Sequence, residues 1–321
     1  MRQLLLVLGM HRSGTSLATR IANLLGWDLG DQLLEPQVDN PTGYWEDADI
    51  VRAHDDYFRA IGWLWSQPGD ATHIFERQDA IARLDARIET ILLGKGQKIV
   101  IKDPRICRLL PVWQRVAAKL EIQTYHFLVY RDPREVANSL LRRDGLPLSQ
   151  SYLLWFRHVY EAERASRGMP RAFVGYDDLL QDWYASMRPV WAALGLEWLE
   201  PSTALRAEIS SFVQRQLRHH HGGSSVETNA LLEDLAWPAY ECLQRGGSTG
   251  HDVSPTMDQL GRRVGSYDSA YESMRLLWAQ SNAELRAEMD TLKQSRSWLI
   301  TSPLRAIGAW LRTLSSRTRA R

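Results

Sequence analysis

The first sixteen residues constrain this chain more than any other part of it. Gln3-Leu4-Leu5-Leu6-Val7-Leu8 is an unbroken apolar run, the pattern of a strand buried on both faces of a parallel sheet. It passes directly into Gly9-Met10-His11-Arg12-Ser13-Gly14-Thr15-Ser16, and then into a helical pattern that reaches Leu25. Glycines at both ends of such a loop let the backbone turn tightly, so that successive N–H groups converge on an anion. The helix that starts there adds the positive end of its dipole. Strand, loop and helix in this order predict a phosphate site. The loop is nearly that of a nucleotide triphosphatase, except that Thr15 stands where that motif needs Lys. Its cation is Arg12, inside the loop.

Further along, strand patterns at 98–101, 124–130 and 171–175 alternate with helical patterns at about 46–61, 76–93, 106–120, 133–143 and 149–167. This alternation predicts an α/β fold over residues 1–220, a P-loop-type parallel sheet flanked by helices. Ligands of such sheets gather at the carboxyl ends of the strands. Two basic constellations fall there: Lys102-Asp103-Pro104-Arg105 and Arg131-Asp132-Pro133-Arg134. In both, Pro suits the first turn of a helix and the preceding Asp suits its N-cap. Lys102 and Arg131 then stand at strand tips beside the loop. Ser139 follows Arg131 by two helical turns and can turn a hydroxyl toward the same anion.

Arg12-Ser13-Gly14-Thr15 at a first strand–helix turn, with Arg131 and Ser139 later, resembles the family of sulfotransferases that use 3′-phosphoadenosine 5′-phosphosulfate (PAPS). The resemblance implies that Arg12, Ser13, Gly14, Thr15 and Ser16 grip the 5′ side of the donor, and that Arg131 and Ser139 hold its 3′-phosphate. Tyr176-Asp177-Asp178-Leu179 is similar to a family stretch whose Tyr lies near the adenine, which assigns that place to Tyr176. Cytosolic members carry a catalytic His two residues after the Lys of the third motif, but here that position is Pro104. The Lys-Asp-Pro form resembles tyrosylprotein sulfotransferases and related bacterial enzymes, in which a Glu after the first helix is the base. Glu46 is the candidate base on this match, with Asp47 and His54 as alternatives. Asp47 and Glu46 also suit a helix N-terminus as favourable charge alone. The family's Gly-rich C-terminal clamp is not recognisable, and Arg215 or Arg218 could replace it. Arg12 and Lys102 would neutralise charge on the leaving oxygen, so the resemblance implies catalysis with no metal.

The 39 basic and 38 acidic residues give a net charge of +1, which fits no nucleic-acid partner. After Asp290 there is no acid and there are seven cations, so residues 1–290 carry 32 basic against 38 acidic groups. An anion site in the main domain must therefore be built locally. Two cysteines exclude a disulfide scaffold, and no apolar run nears the ~20 residues of a membrane span. The apolar start is too short for a signal-peptide core, so the main domain reads as cytoplasmic.

Residues 221–255, entered through His219-His220-His221-Gly222-Gly223 and containing Arg245-Gly246-Gly247-Ser248, read as a linker. Beyond it Met257, Leu260, Val264, Tyr267, Tyr271, Met274, Trp278, Leu285 and Leu292 fall at heptad spacing. That predicts a long helix over 256–294. Its seam at 257–292 suits either a partner helix, hence a homo-oligomer, or its own domain. The basic amphipathic tail 295–321, with Trp310, Arg305 and Arg312, suits an anionic membrane surface or an acidic partner. Tryptophans at 63, 65, 113, 155, 183 and 191 read mainly as core. Tail segments such as Ser295-Arg296-Ser297-Trp298 resemble parts of bacterial surface-glycan glycosyltransferases. This similarity implies a saccharide or lipid-linked saccharide acceptor at the inner membrane face. Two other functions fit the loop: a P-loop kinase of a small molecule, and a non-catalytic nucleotide-binding assembly module.

Overall fold

Each apolar run forms the strand expected of it. In the computed structural model β1 (Gln3–Leu8), β2 (Lys98–Lys102), β3 (Gln123–Tyr130) and β4 (Arg171–Gly175) lie in the order β2-β1-β3-β4. All pairings are parallel, with Val7 opposite Lys102, Leu8 opposite Leu128 and Tyr130 opposite Gly175. The segments that leave β1, β2 and β3 therefore emerge at one edge of the sheet. Residues 1–37, 40, 42–70, 74–217, 229–249 and 252–265 are described, together with positions 267, 268, 288 and 291. Met1–Gly265 make one compact unit and Ser266–Arg321 a second.

Alternation along the strands divides the core. Leu5, Val7, Phe127, Val129 and Val174 join α1 (Thr15–Leu24), α7 (Tyr176–Ala193) and α8 (Thr203–Leu217) on one face. Helices α4 (Ile106–Lys119) and α6 (Leu148–Ala165) pack on the sheet as well, and Leu4, Leu6 and Leu8 are equally buried. Helices α2 (Ala48–Ala60), α3 (Gln78–Leu93) and α5 (Pro133–Asp144) complete the main layers. The sequence patterns locate α1 to α6 within two residues at each end. Helices α7 and α8 are absent from them.

The linker expected at 221–255 is corrected in part. A π-type turn at Leu232–Ala236 leads into α9 (Trp237–Thr249), which contains the Gly-Gly pair, and α10 (254–265) follows. The small residues serve close packing rather than chain freedom. A Cβ on Gly247 would lie 3.2 Å from the Tyr130 hydroxyl and 3.3 Å from the Phe173 carbonyl. One on Gly261 would lie 2.3 Å from the Tyr160 hydroxyl. Met257, Leu260 and Val264, the first three heptad positions, are buried within this same unit. Glu163, fully buried on α6, ties the region together: Arg167, Arg171 and Ser254 all donate to it. Residues 218–228, nearly all of the expected helix beyond 268, and the tail 295–321 lie outside the described residues.

This packing gives opposite expectations for two glycines of α10. Gly261→Val should lower the urea midpoint by an overpacking cost of about 1–3 kcal/mol. Gly265, whose Cβ would meet only open space, should gain up to about 1 kcal/mol as Ala. Equal effects at the two sites would contradict the packing described.

Candidate active site

The loop after β1 follows backbone that few side chains tolerate. Gly9 has φ 145° and Gly14 φ 88°. A Cβ on Gly9 would sit 2.4 Å from the Val129 carbonyl, and one on Gly14 2.1 Å from the Tyr176 ring. Glycine alone meets both demands. Arg12 is left-handed too, at φ 68°, which costs a non-glycine residue about 1–2 kcal/mol. Its contacts hold it there. Arg131 donates from Nη1 to the Arg12 carbonyl at 3.2 Å, and Arg12 donates from Nε to Ser139 Oγ at 2.9 Å. Arg131 and Ser139 thus meet the loop at the same residue.

Helix α1 begins with Gly14 in the cap position, with no side-chain cap bond and no acid in its first turn. Its first N–H groups and dipole end are left for a ligand. They open on a cavity of about 540 Å³, whose lining includes Arg12, Thr15, Ser16, Lys102, Arg131 and Tyr176. Arg131 also pairs with Glu135, Nε to Oε2 at 2.7 Å, and its guanidinium lies 4.7 Å above the Tyr176 ring. Ser13 is placed differently from its neighbours. Its hydroxyl is buried behind the loop without a hydrogen-bond partner and does not line the cavity. Ser139 likewise stands behind Arg12 rather than on the wall. Cys107 accepts the Gly9 N–H at 3.0 Å, and burial pushes its thiol up to about 12, which leaves it an unreactive packing group.

The three candidate bases are separated by their partners. Glu46 lines the cavity and accepts a hydrogen bond from Lys102 Nζ, both side chains being almost fully buried. Burial raises the Glu46 pKa above its ordinary value, and Lys102 opposes that rise. Asp47 is the N-cap of α2, accepting the Asp49 N–H at 2.9 Å and the Ile50 N–H at 3.2 Å, and its other oxygen takes Lys95 Nζ at 2.6 Å. His54 is fully buried. Trp113 donates to its Nε2 at 3.1 Å, so the ring proton is on Nδ1 and goes to Asp103 at 2.9 Å. His54 has no lone pair left for a substrate, and Asp47, held by its cap bonds and Lys95, does not line the cavity. Asp132 caps α5 through the Arg134 N–H at 2.8 Å. Asp103 instead is a buried ion hub, held by Arg105 at 2.6 Å and by His54, and these partners keep its carboxyl well below the usual range despite burial.

Backbone geometry aims Glu46. Trp45 has φ 57°, which turns its ring away from the cavity to meet Phe212 of α8 at 6.1 Å, under the Arg20 guanidinium at 4.5 Å. Tyr44 and Glu46, on either side, both line the cavity. Of the two aromatic residues before Glu46, only Tyr44 shares the cavity wall with it. Residues not singled out by sequence reasoning complete the lining. Trp65 belongs to the irregular segment after α2 and is a cavity residue rather than core; its ring lies 4.4 Å from that of His11. Arg143 and Asp144 reach the cavity from the end of α5. Helical periodicity could not have shown Trp65, because its partner is 54 positions away. Among the described residues no cluster of three His, Cys, Asp or Glu side chains could hold a metal ion. No helix among them is long and apolar enough to cross a membrane. Arg218 and the side chain of Arg215 lie outside the described residues.

No known protein-family profile matches the chain, and no curated protein matches it in sequence. Solved structures similar to it include the sulfotransferase STF1 of Mycobacterium tuberculosis H37Rv, at 14% identity and TM-score 0.43, over 66% of this chain and 72% of that one. STF9 of Mycobacterium avium has 14% identity and TM-score 0.41, over 83% and 77%. Mouse sulfotransferase SULT7A1, solved in complex with PAP, has 12% identity and TM-score 0.38, over 80% and 88%. At these values the likeness establishes no family membership.

Buried histidines make the stability of this unit depend on pH. Burial lowers His11 and His54 below their ordinary 6.5, His126 to about 4 and His158 to about 3. The folded chain leaves them neutral while the unfolded chain protonates them below pH 6.5, so unfolding takes up protons. Their contribution is complete above pH 6.5 and is lost as the pH falls through the folded values. Urea midpoints measured from pH 7.5 to 4.5 should therefore fall steadily, and His126→Gln should flatten the slope. A midpoint constant down to pH 4.5 would contradict it.

Proposed function

We propose that the chain transfers a sulfuryl group from PAPS to a hydroxyl of a saccharide or lipid-linked saccharide. The observation that carries the donor is the shared cavity. Arg12, Lys102 and Arg131 line it with the uncapped start of α1, and Thr15 stands where a triphosphatase loop needs Lys. This suits a donor with anions at two ends. The loop, Arg12, Thr15 and Ser16 take the 5′-phosphosulfate, Arg131 with Ser139 behind it takes the 3′-phosphate, and Tyr176 packs near the adenine. Trp65, facing the cavity beside Asp144 and Arg143, supports a sugar ring as acceptor, since an aromatic face and polar side chains together suit a hydroxylated ring.

The chemistry follows from charge. The acceptor oxygen attacks sulfur, a new O–S bond forms in line, and the bond from sulfur to the 5′-phosphate oxygen breaks, leaving 3′-phosphoadenosine 5′-phosphate (PAP). Negative charge grows on the leaving oxygen, where Arg12, Lys102 and the loop N–H groups neutralise it. Glu46 receives the acceptor proton once Lys102 turns toward the donor. Such a base contributes typically about 10²–10⁴-fold. No step calls for a metal ion.

Calorimetric titration tests this reading. PAP should bind without Mg²⁺, binding should be lost in Arg131→Ala, and Glu46→Gln should keep PAP affinity while transfer from PAPS falls about 10²-fold or more. Preference for ATP with Mg²⁺ would instead indicate the kinase. The acid-free segment 295–321 would bring the domain to an anionic membrane. Deleting it should reduce the fraction bound to anionic vesicles and spare transfer to a soluble glycoside. An unchanged bound fraction would eliminate that role.

A further inference from the structure

His11, which lines the cavity, is backed by a second histidine, His158, buried behind it. His11 Nε2 and His158 Nε2 are both buried without a hydrogen-bond partner, although an unpaired buried polar atom is destabilising. The two rings face edge to face at 6.4 Å between centres and 70° between planes. His158 Nδ1 lies 2.8 Å from the Leu154 carbonyl, which can only accept. The His158 proton is therefore on Nδ1, and its Nε2 is a lone pair. Burial holds this ring to about 3, so it is neutral under working conditions.

A buried lone pair is satisfied by a donor, and the neighbouring candidate is His11. The ring separation suits one bridging water between the two Nε2 atoms. A water that accepts from His11 and donates to His158 puts the His11 proton on Nε2 and leaves the lone pair on Nδ1. With Nε2 turned inward, Nδ1 is the nitrogen that His11 offers to the cavity it lines. Trp65, packed against the ring, limits its rotation. Burial, Arg143, His158 and Arg105 all keep the imidazole neutral, and Asp103 alone acts the other way.

We propose that His11 is a further acceptor-binding residue, whose Nδ1 receives a hydrogen bond from an acceptor hydroxyl, and that His158 is the positioning residue that fixes this tautomer. The inference rests on the transfer reaction proposed above and deepens it. A lone pair, the carboxylate of Asp144 and the flat face of Trp65 on one wall suit a ring that carries neighbouring hydroxyls. Glu46 remains the group that takes the proton from the hydroxyl that reacts.

Two measurements on the full chain test this. Long-range proton–nitrogen spectra of the histidine-labelled protein should show His11 protonated on Nε2 and His158 on Nδ1. His158→Gln, which keeps an acceptor, should preserve the His11 tautomer, while His158→Phe should let it exchange. His11 protonated on Nδ1 in the wild type would overturn the proposal. Transfer from PAPS to a panel of methyl glycosides and 2-naphthol is the second measurement. His11→Asn, whose amide overlies Nδ1, should stay within about tenfold of wild type for the glycosides. His11→Gln should lose about a hundredfold in kcat/KM through KM, with PAP affinity unchanged. Wild-type KM in His11→Gln would also overturn it. Failure of the wild type to bind PAP would reject the donor assignment instead and leave the tautomer result standing.

Discussion

Like charges brought together out of water repel, and this molecule is built around that difficulty. Arg12, Lys102 and Arg131 share one cavity within a domain whose acids outnumber its bases. Each is held by a different device. Lys102 has a carboxylate, Glu46; Arg131 has Glu135 and the face of Tyr176; Arg12 has a neutral hydroxyl and a strained backbone that Arg131 itself supports. Behind them Arg105 is neutralised by Asp103 and Asp55. An anionic ligand would take the place of these temporary partners rather than meet bare charge. The parallel sheet makes this possible, because three strands in register deliver their basic tips to the same edge.

Much of this was legible from the chain because it is local. A strand, a glycine loop and a helix within two dozen residues declare the fold class and the loop that lines the cavity. Lys102 and Arg131 were legible because they directly follow apolar runs. The Asp132 cap followed from the same rule, since capping involves residues two apart. Asp103 obeyed the rule only in part. Its sequence setting matches that of Asp132, yet contacts with His54 from another helix turn it into an ion hub.

What escaped the sequence depends on contacts between distant segments. Gly246 and Gly247 look like a flexible joint until they are seen inside a helix, with Tyr130 and Phe173 crowding the place of a Gly247 side chain. Trp65 looks like core until the loop carrying it is placed beside His11. Asp47 and His54 stood as alternatives to Glu46 by type and position. Only their partners, Lys95 and the helix N–H groups for one, Asp103 and Trp113 for the other, removed them. Residue type limits the chemistry a position can do, and occupancy of its lone pairs decides whether it is free to do it.

The left-handed residue at Trp45 has an effect that reaches beyond its own turn. Its backbone suits a small residue, whereas its ring suits a large one, since Phe212 on α8 is what it meets. The orientation of Glu46 is thereby tied to a helix none of whose described side chains lines the cavity. Any motion of α8 would be felt first as a change in how the carboxylate addresses Lys102. Helix α8 is in this sense part of the mounting for a carboxylate carried by another segment.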